Sequence, residues 1–254
     1  MARNGKCEIA RDIYFMAEHQ DYMRRMRGVT KENLYELTLE MRRLIISSSE
    51  SAPVKMLFNV FNQLSECKSD FTIPVHGEWH HSLVPGVMLS ALRNSGYGIS
   101  DKDIEEGMMR GSQAKVSCGF TGVCGGANSF GIVIAIVKKI TPLHGEERTD
   151  LMRSSALVLQ KIAAVEGRCC KRSTYIGMGE TIKYLARIDI ALPYSDIACP
   201  FPAENSKCAR ERCPYFRPAG VGNGPRIWNA GRIEEKYGNA SLSTINPNKG
   251  DANL

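Results

Sequence analysis

Apolar residues recurring at helical spacing set the limits on this fold. After Thr30, Leu34, Leu37, Met41, Leu44 and Ile45 fall three or four residues apart, and after Pro53 the same holds for Val54, Leu57, Phe58, Phe61 and Leu64. Residues so spaced share one face of a helix and bury together, as core. The pattern predicts further helices over 86–94, 100–110 and 146–165, with Ser100 and Asp103 placed as a capping box. Two more are expected just after Cys124 and just after Cys170. No strand alternation or even hairpin spacing competes, so the fold class expected is all-α.

The chain is 254 residues long, enough for one sizeable core without disulfides. With 43% hydrophobic and 24% charged residues it is neither disordered nor fibrous in composition. Three segments are expected: an N-terminal helical segment over 1–69, a cysteine- and histidine-rich helical domain over 70–217, and a loop-rich tail over 218–254 that frays toward its end. Within the second, ALPYSDIACPFP and RCPYFRPAGVGNGP are rich in proline, glycine and aromatics and read as ordered loop.

The first residues, MARNGKCEIARD, carry no apolar signal-peptide core, and the longest strongly apolar run, Ile132 to Val137, is far short of a membrane span. The expected location is the cytoplasm, where thiols stay reduced. Nine cysteines, an odd number, then point to a metal, a cluster or catalysis rather than disulfides. The formal charge of +6 is mild. Arg24, Arg25, Arg27, Arg42 and Arg43 alternate with Met23, Met26 and Met41, which reads as a solvated basic face and argues against nucleic acid. The Met-rich helices leave a homodimer surface open.

Seven of the nine cysteines fall between Cys118 and Cys213, in three segments. In SCGFTGVCGGANSFG, Cys118 and Cys124 sit on a glycine-rich turn leading into a helix, whose N-terminal N–H groups and dipole stabilise a thiolate or an anionic cluster. In GRCCKRSTYIGMGE, Cys169 and Cys170 precede another helix, and Arg168, Lys171 and Arg172 beside them would lower thiol pKa or hold a substrate carboxylate. In CPFPAENSKCARERCPYF, Cys199, Cys208 and Cys213 offer metal ligands that would order a loop-rich stretch. Their spacing is neither that of a ferredoxin nor the paired spacing of a zinc ribbon. Cys7 and Cys67 stand alone near apolar helices and read as small core residues.

The segment PVHGEWHHSLVPGVML holds His76, His80 and His81 with Glu78 and Trp79. Three imidazoles so close offer a general base near neutral pH, or further ligands.

PVHGEWHHSLVPG, CGFTGVCGGA, RCCKR and CPFPAENSKCARERCPYF together resemble the signature blocks of an uncharacterised prokaryotic family, domain of unknown function 5714, over about residues 70 to 217. Members of that family are sometimes fused or adjacent to methyltransferase or other cysteine-rich modules, which implies a methyltransferase or sulfur-transfer partner. The chain is also similar, in local pattern, to the all-helical catalytic domain of iron-sulfur L-serine dehydratases and L-cysteine desulfidases. That similarity implies cofactor ligands among Cys118, Cys124, Cys169 and Cys170, and a reactive residue where His80 and His81 stand. It departs in one respect: no further cysteine lies between Ser173 and Glu180.

Two functions emerge as expectations. The leading one is a non-redox iron-sulfur lyase, with a 4Fe-4S cluster acting as Lewis acid on a small amino or hydroxy acid. His76, His80 or His81, with Glu78, would move the proton, and Arg168, Lys171 or Arg172 would hold the carboxylate. The alternative is a non-catalytic protein whose C-terminal loop is stapled by zinc or a cluster.

Overall fold

A computed structural model describes residues 31–67 and 73–217, apart from 115, 117 and 120. Among the described residues there are seven α-helices and no strand. They are α1 Lys31–Ser47, α2 Pro53–Cys67, α3 His80–Asn94, α4 Asp101–Gln113, α5 Gly125–Val137, α6 Gly145–Ala163 and α7 Cys170–Ala186, with a short 3-10 turn, Arg210–Arg212, after them. The all-α expectation holds. No described helix is long and apolar enough to cross a membrane. The expectations for Cys7, Arg24, Arg25, Arg27 and the tail over 218–254 lie outside the described residues, as does the side chain of Cys67.

α3 and α5 form the middle of the molecule. Twelve of the fifteen residues of α3 are buried, and it packs against α1, α2, α4, α5 and α7. α5, GGANSFGIVIAIV, is apolar on every side and packs against α3, α4, α6 and α7, the burial that an all-round apolar helix requires. Leu37, Met41, Phe61 and Leu64 from the first two helices join the same core as Leu83, Val133 and Tyr175, so α1 and α2 share one core with α3, α5 and α7. Burying a side chain such as Phe61 contributes about 1.5–3 kcal/mol. Arg42 and Arg43, two of the candidate nucleic-acid contacts, are paired with Glu105 and Glu40 on the surface.

Helix ends are satisfied across the fold. Arg93 and Asn94 at the end of α3 donate to the carbonyls of Ile46, Ser48 and Glu50, at or just beyond the end of α1, which have no helical partner of their own. Ser100 and Asp103 form the expected capping box at α4.

One boundary departs from the expectation. Pro85-Gly86 reads in sequence as the start of a helix, yet α3 begins at His80 and carries Pro85 in its interior. Proline has no N–H for the carbonyl four residues back, which is that of His81. The Ser129 hydroxyl of α5 reaches this oxygen at 2.9 Å and the carbonyl of Gly125, one turn back in its own helix, at 2.7 Å, so its single proton is shared between the two. Gly111 of α4 lies against the His81 oxygen too, where a Cβ would come within 2.3 Å.

α5 and α7 also meet through bare backbone. A Cβ on Gly126 would fall 2.5 Å from the Ser173 carbonyl oxygen, and one on Gly177 would fall 2.6 Å from that of Gly126. Backbone atoms cannot swing aside as a flexible side chain can, so Gly126→Ala is expected to destabilise the protein by about 1–3 kcal/mol. Gly179→Ala, two residues beyond Gly177 with nothing within 4 Å of the new methyl, should be neutral or stabilising by up to about 1 kcal/mol. Urea unfolding of the two variants checks the contrast.

Candidate metal centre

The last turn before α7 sends two adjacent thiols to different places. Cys169 is the N-cap, with extended backbone, and its sulfur accepts the N–H of Arg172 at 3.4 Å. Cys170 is the first helical residue, and consecutive helical side chains diverge by about 100°. Cys169 therefore lines a small cavity with Cys199, Cys208 and Cys213, whereas Cys170 meets the N–H of Gly77, Arg168 and Cys124.

The four cavity sulfurs share one local device. The N–H of Phe201 is directed at Cys199, that of Arg210 at Cys208 (3.4 Å) and that of Tyr215 at Cys213, each from two residues downstream. Pro200 and Pro214 have no N–H, so the first amide able to turn back is the one that does. The N–H of Cys199 donates to the Tyr215 carbonyl at 2.8 Å and lays the two Cys-Pro turns side by side. The Tyr175 hydroxyl donates to the Cys199 sulfur at 3.8 Å. Donors aimed at sulfur favour the thiolate over the thiol. Burial works the other way, pushing the Cys199 thiol up to about 11 and raising Cys213 too.

Two buried cations flank these thiols. Lys171 is 2% exposed, makes no hydrogen bond, and places Nζ 3.6 Å from the ring centre of Phe61, 4.4 Å from that of Phe201 and 4.6 Å from that of Trp79. Burial pushes its ammonium down to about 7, with Cys199 the largest opposing influence. Cation–π contact offsets about 2 kcal/mol of such a penalty, less than burying an unpaired charge costs. Arg172 turns inward as well, donating through Nη2 to the carbonyls of Val165 and Gly167, each at 2.6 Å. Of the three cations expected to hold a carboxylate, only Arg168 is exposed.

The histidines approach from the other side. Gly77, at φ 147°, gives its carbonyl to Nδ1 of His80 at 3.1 Å. His80 is buried, its ring 3.8 Å from that of Trp79, and desolvation holds it well below the usual imidazole range. His76 is half-buried and hydrogen-bonded to Asn205; desolvation, then the charge of Arg168, lowers it to about 4. His81 lies so close to Gly125 that a Cβ there would fall 2.0 Å from its ring. Desolvation lowers His81 too, against the opposing charge of Glu78, which is itself exposed. Cys124 is half-buried as the N-cap of α5; Cys118 is exposed and does not line the cavity.

Six buried polar atoms here have no hydrogen-bond partner: Trp79 Nε1, His80 Nε2, His81 Nδ1, Lys171 Nζ, Arg172 Nε and Asn205 Nδ2. Native proteins leave few such atoms, and a concentration of them marks a place that serves more than packing. The cavity that the four cysteines line together with Val75, Lys171, Tyr175 and Phe201 among others is about 20 Å³, room for one water-sized occupant. Among the described residues no three His, Cys, Asp or Glu side chains are arranged, as they stand, to hold a metal ion. In chemistry the four-thiol set suits a soft or borderline metal. Tyr175, Asn205 and the rings of Phe61 and Phe201 carried no functional signal in the sequence. The first could have been found from its position four residues after Lys171 on one helix face; the others join across long stretches of chain.

These features define an all-α protein in which Cys124, Cys169, Cys170, His80 and His81 stand at helix starts and Cys199, Cys208 and Cys213 lie on the loop that follows α7. Residues 41–216 match the model of a family of unknown function (DUF5714), and the chain belongs to that family. No curated protein and no solved structure matches it.

Lys171 predicts a pH dependence. A base whose pKa is lower folded than unfolded destabilises the fold below the folded value, and the penalty fades as pH climbs toward the unfolded one. Between pH 7 and 9, before the raised Cys199 thiol works in the opposite direction, the metal-free protein should gain stability. Lys171→Met should flatten that slope and raise stability at pH 7, as read by urea unfolding at each pH.

Proposed function

We propose that this chain is a metal–thiolate protein in which Cys169, Cys199, Cys208 and Cys213 hold one centre that fixes the loop over 199–216 against α7. The observation that carries the reading is that four cysteines line one cavity, with the sulfurs of Cys169 and Cys208 each accepting a backbone N–H at 3.4 Å and those of Cys199 and Cys213 each faced by one. Such donors orient the ligands and spread their charge. A divalent ion with four thiolates carries two negative charges, which the buried Lys171 and Arg172 balance. That balance also accounts for an ammonium buried without an anion.

A four-sulfur set serves zinc or iron, including iron-sulfur clusters. A cavity of about 20 Å³ favours a single ion, with zinc the first candidate; a four-iron cluster would require the loop to move outward. Four protein ligands leave no open position, so the centre acts as a staple rather than a Lewis acid. A reducing compartment such as the cytoplasm would keep the thiols available to it.

A second reading, the non-redox lyase of the dehydratase or desulfidase type, draws support from the other side of the α7 N-terminus. There Cys124, Cys170, His76, His81 and Arg168 gather, with Arg168 exposed for a small carboxylate. In that reading the reacting group belongs to this cleft and not to the staple.

Anaerobic purification with zinc, iron and acid-labile sulfide quantified tests the main proposal. Cys199→Ser and Cys213→Ser should each lower the metal content by one ion per chain, and Cys118→Ser should leave it unchanged. Iron with matching sulfide would replace the single ion by a cluster. Metal content indifferent to all four cavity cysteines would sink the proposal.

A further inference from the structure

The all-round apolar helix α5 is not covered along its whole surface. α4 and α6 flank it, and a groove of about 380 Å³ opens over Asn128, Gly131, Ile132 and Ala135. Small residues make the room, since Ser155 and Ala156 of α6 face Gly131 and Ala135 across it. A Cβ on Gly131 would stand 3.1 Å from the Ser155 hydroxyl, so the two helices close the floor tightly. Small-molecule sites occupy roughly 300–1,000 Å³, with apolar walls and a few placed polar groups.

Two of those polar groups enter the groove at one level. Gly111 of α4 and Ser129 of α5 meet at the His81 carbonyl, which brings their chain neighbours Arg110 and Asn128 to the same height, and both of these line the groove. Asn128 is half-buried as a residue, but its Nδ2 is fully buried and has no hydrogen-bond partner, a costly state for an amide donor. Arg110 is the only charged residue in the lining. Glu106 takes its Nε at 2.7 Å and leaves the two Nη groups without a protein partner among the described residues. An ion pair at the surface competes weakly with a ligand for the same guanidinium.

We propose that this groove binds a small carboxylate with an aliphatic chain, the carboxylate meeting Arg110 and the Asn128 amide and the chain lying among Val123, Ile132, Ala135 and Leu159. The free N–H groups of both polar residues call for an acceptor. Two Nη groups on one guanidinium match the two oxygens of a carboxylate, and one cation with no acid in the lining matches a single negative charge. A phosphate ester would bring a second charge with nothing to balance it. Apart from Arg110, Asn128 and Ser155 the lining is apolar or glycine, so the body of the ligand is hydrocarbon. The groove shares no lining residue with the cysteine-lined cavity, and the two proposals stand or fall separately.

Isothermal titration of the full chain with octanoate tests this directly. One saturable site per chain is expected, and octanol, with the same chain and no charge, should bind about tenfold more weakly, the loss of one charge-assisted contact. Arg110→Gln should weaken octanoate binding to a similar extent. Ala156→Trp places an indole in the groove from an exposed position of α6 and should abolish binding. The two wild-type arms do not depend on any variant folding. The proposal is overturned if the wild type shows no saturable binding of octanoate, if octanol binds it as tightly as octanoate does, or if Ala156→Trp or Arg110→Gln binds octanoate with wild-type affinity.

Discussion

The start of α5 lies against the His81 ring of α3 and against the bare backbone of α7, and the positions of Cys124, Cys170 and His81 depend on those contacts. Gly125 and Gly126 permit them. The Ser129 hydroxyl makes them specific by sharing its proton between the Gly125 carbonyl and the His81 carbonyl that Pro85 cannot serve. Polar backbone inside an apolar core must find partners, and here the partner comes from the neighbouring helix. The proline that ought to interrupt α3 thus becomes one of the reasons α3 and α5 hold a fixed register.

Charge on the α7 side is suppressed by burial on groups of both signs. Burial raises the Cys199 and Cys213 thiols and lowers the Lys171 ammonium, so the metal-free state suppresses charges of both signs. A metal ion at the proposed centre would reverse this, since thiolates bound to it are anionic and the nearby ammonium would then have something to neutralise. Metal affinity and fold stability are, on this account, two views of one equilibrium. The aromatic rings of Phe61, Trp79 and Phe201 make the intermediate state bearable, and Phe201 ties that box to the cysteine loop itself.

Local pattern made much of the fold legible in the sequence. The stripes through Leu37, Met41, Leu57 and Phe61 revealed the first helices and their buried faces, and Ser100 with Asp103 revealed a cap. The start of α3 was not legible because Pro85-Gly86 imitates a helix start, and the compensating donor is 48 positions away at Ser129. The cysteines were legible as a group but not in their division. Chain proximity suggests that Cys169 and Cys170 act together; helical geometry separates them. The hydrogen bond between His76 and Asn205, which joins the histidine segment to the cysteine loop, links residues far apart in sequence and had no local signature.

The peptide bond between Cys169 and Cys170 has a consequence of its own. Cys169 lines the cavity with Cys199, Cys208 and Cys213, whereas Cys170 lies beside Gly77 and Cys124, so the first turn of α7 borders both places. In the reading proposed, an ion held through Cys169 would also fix the place of Cys170, over a single residue and without any hinge or moving domain.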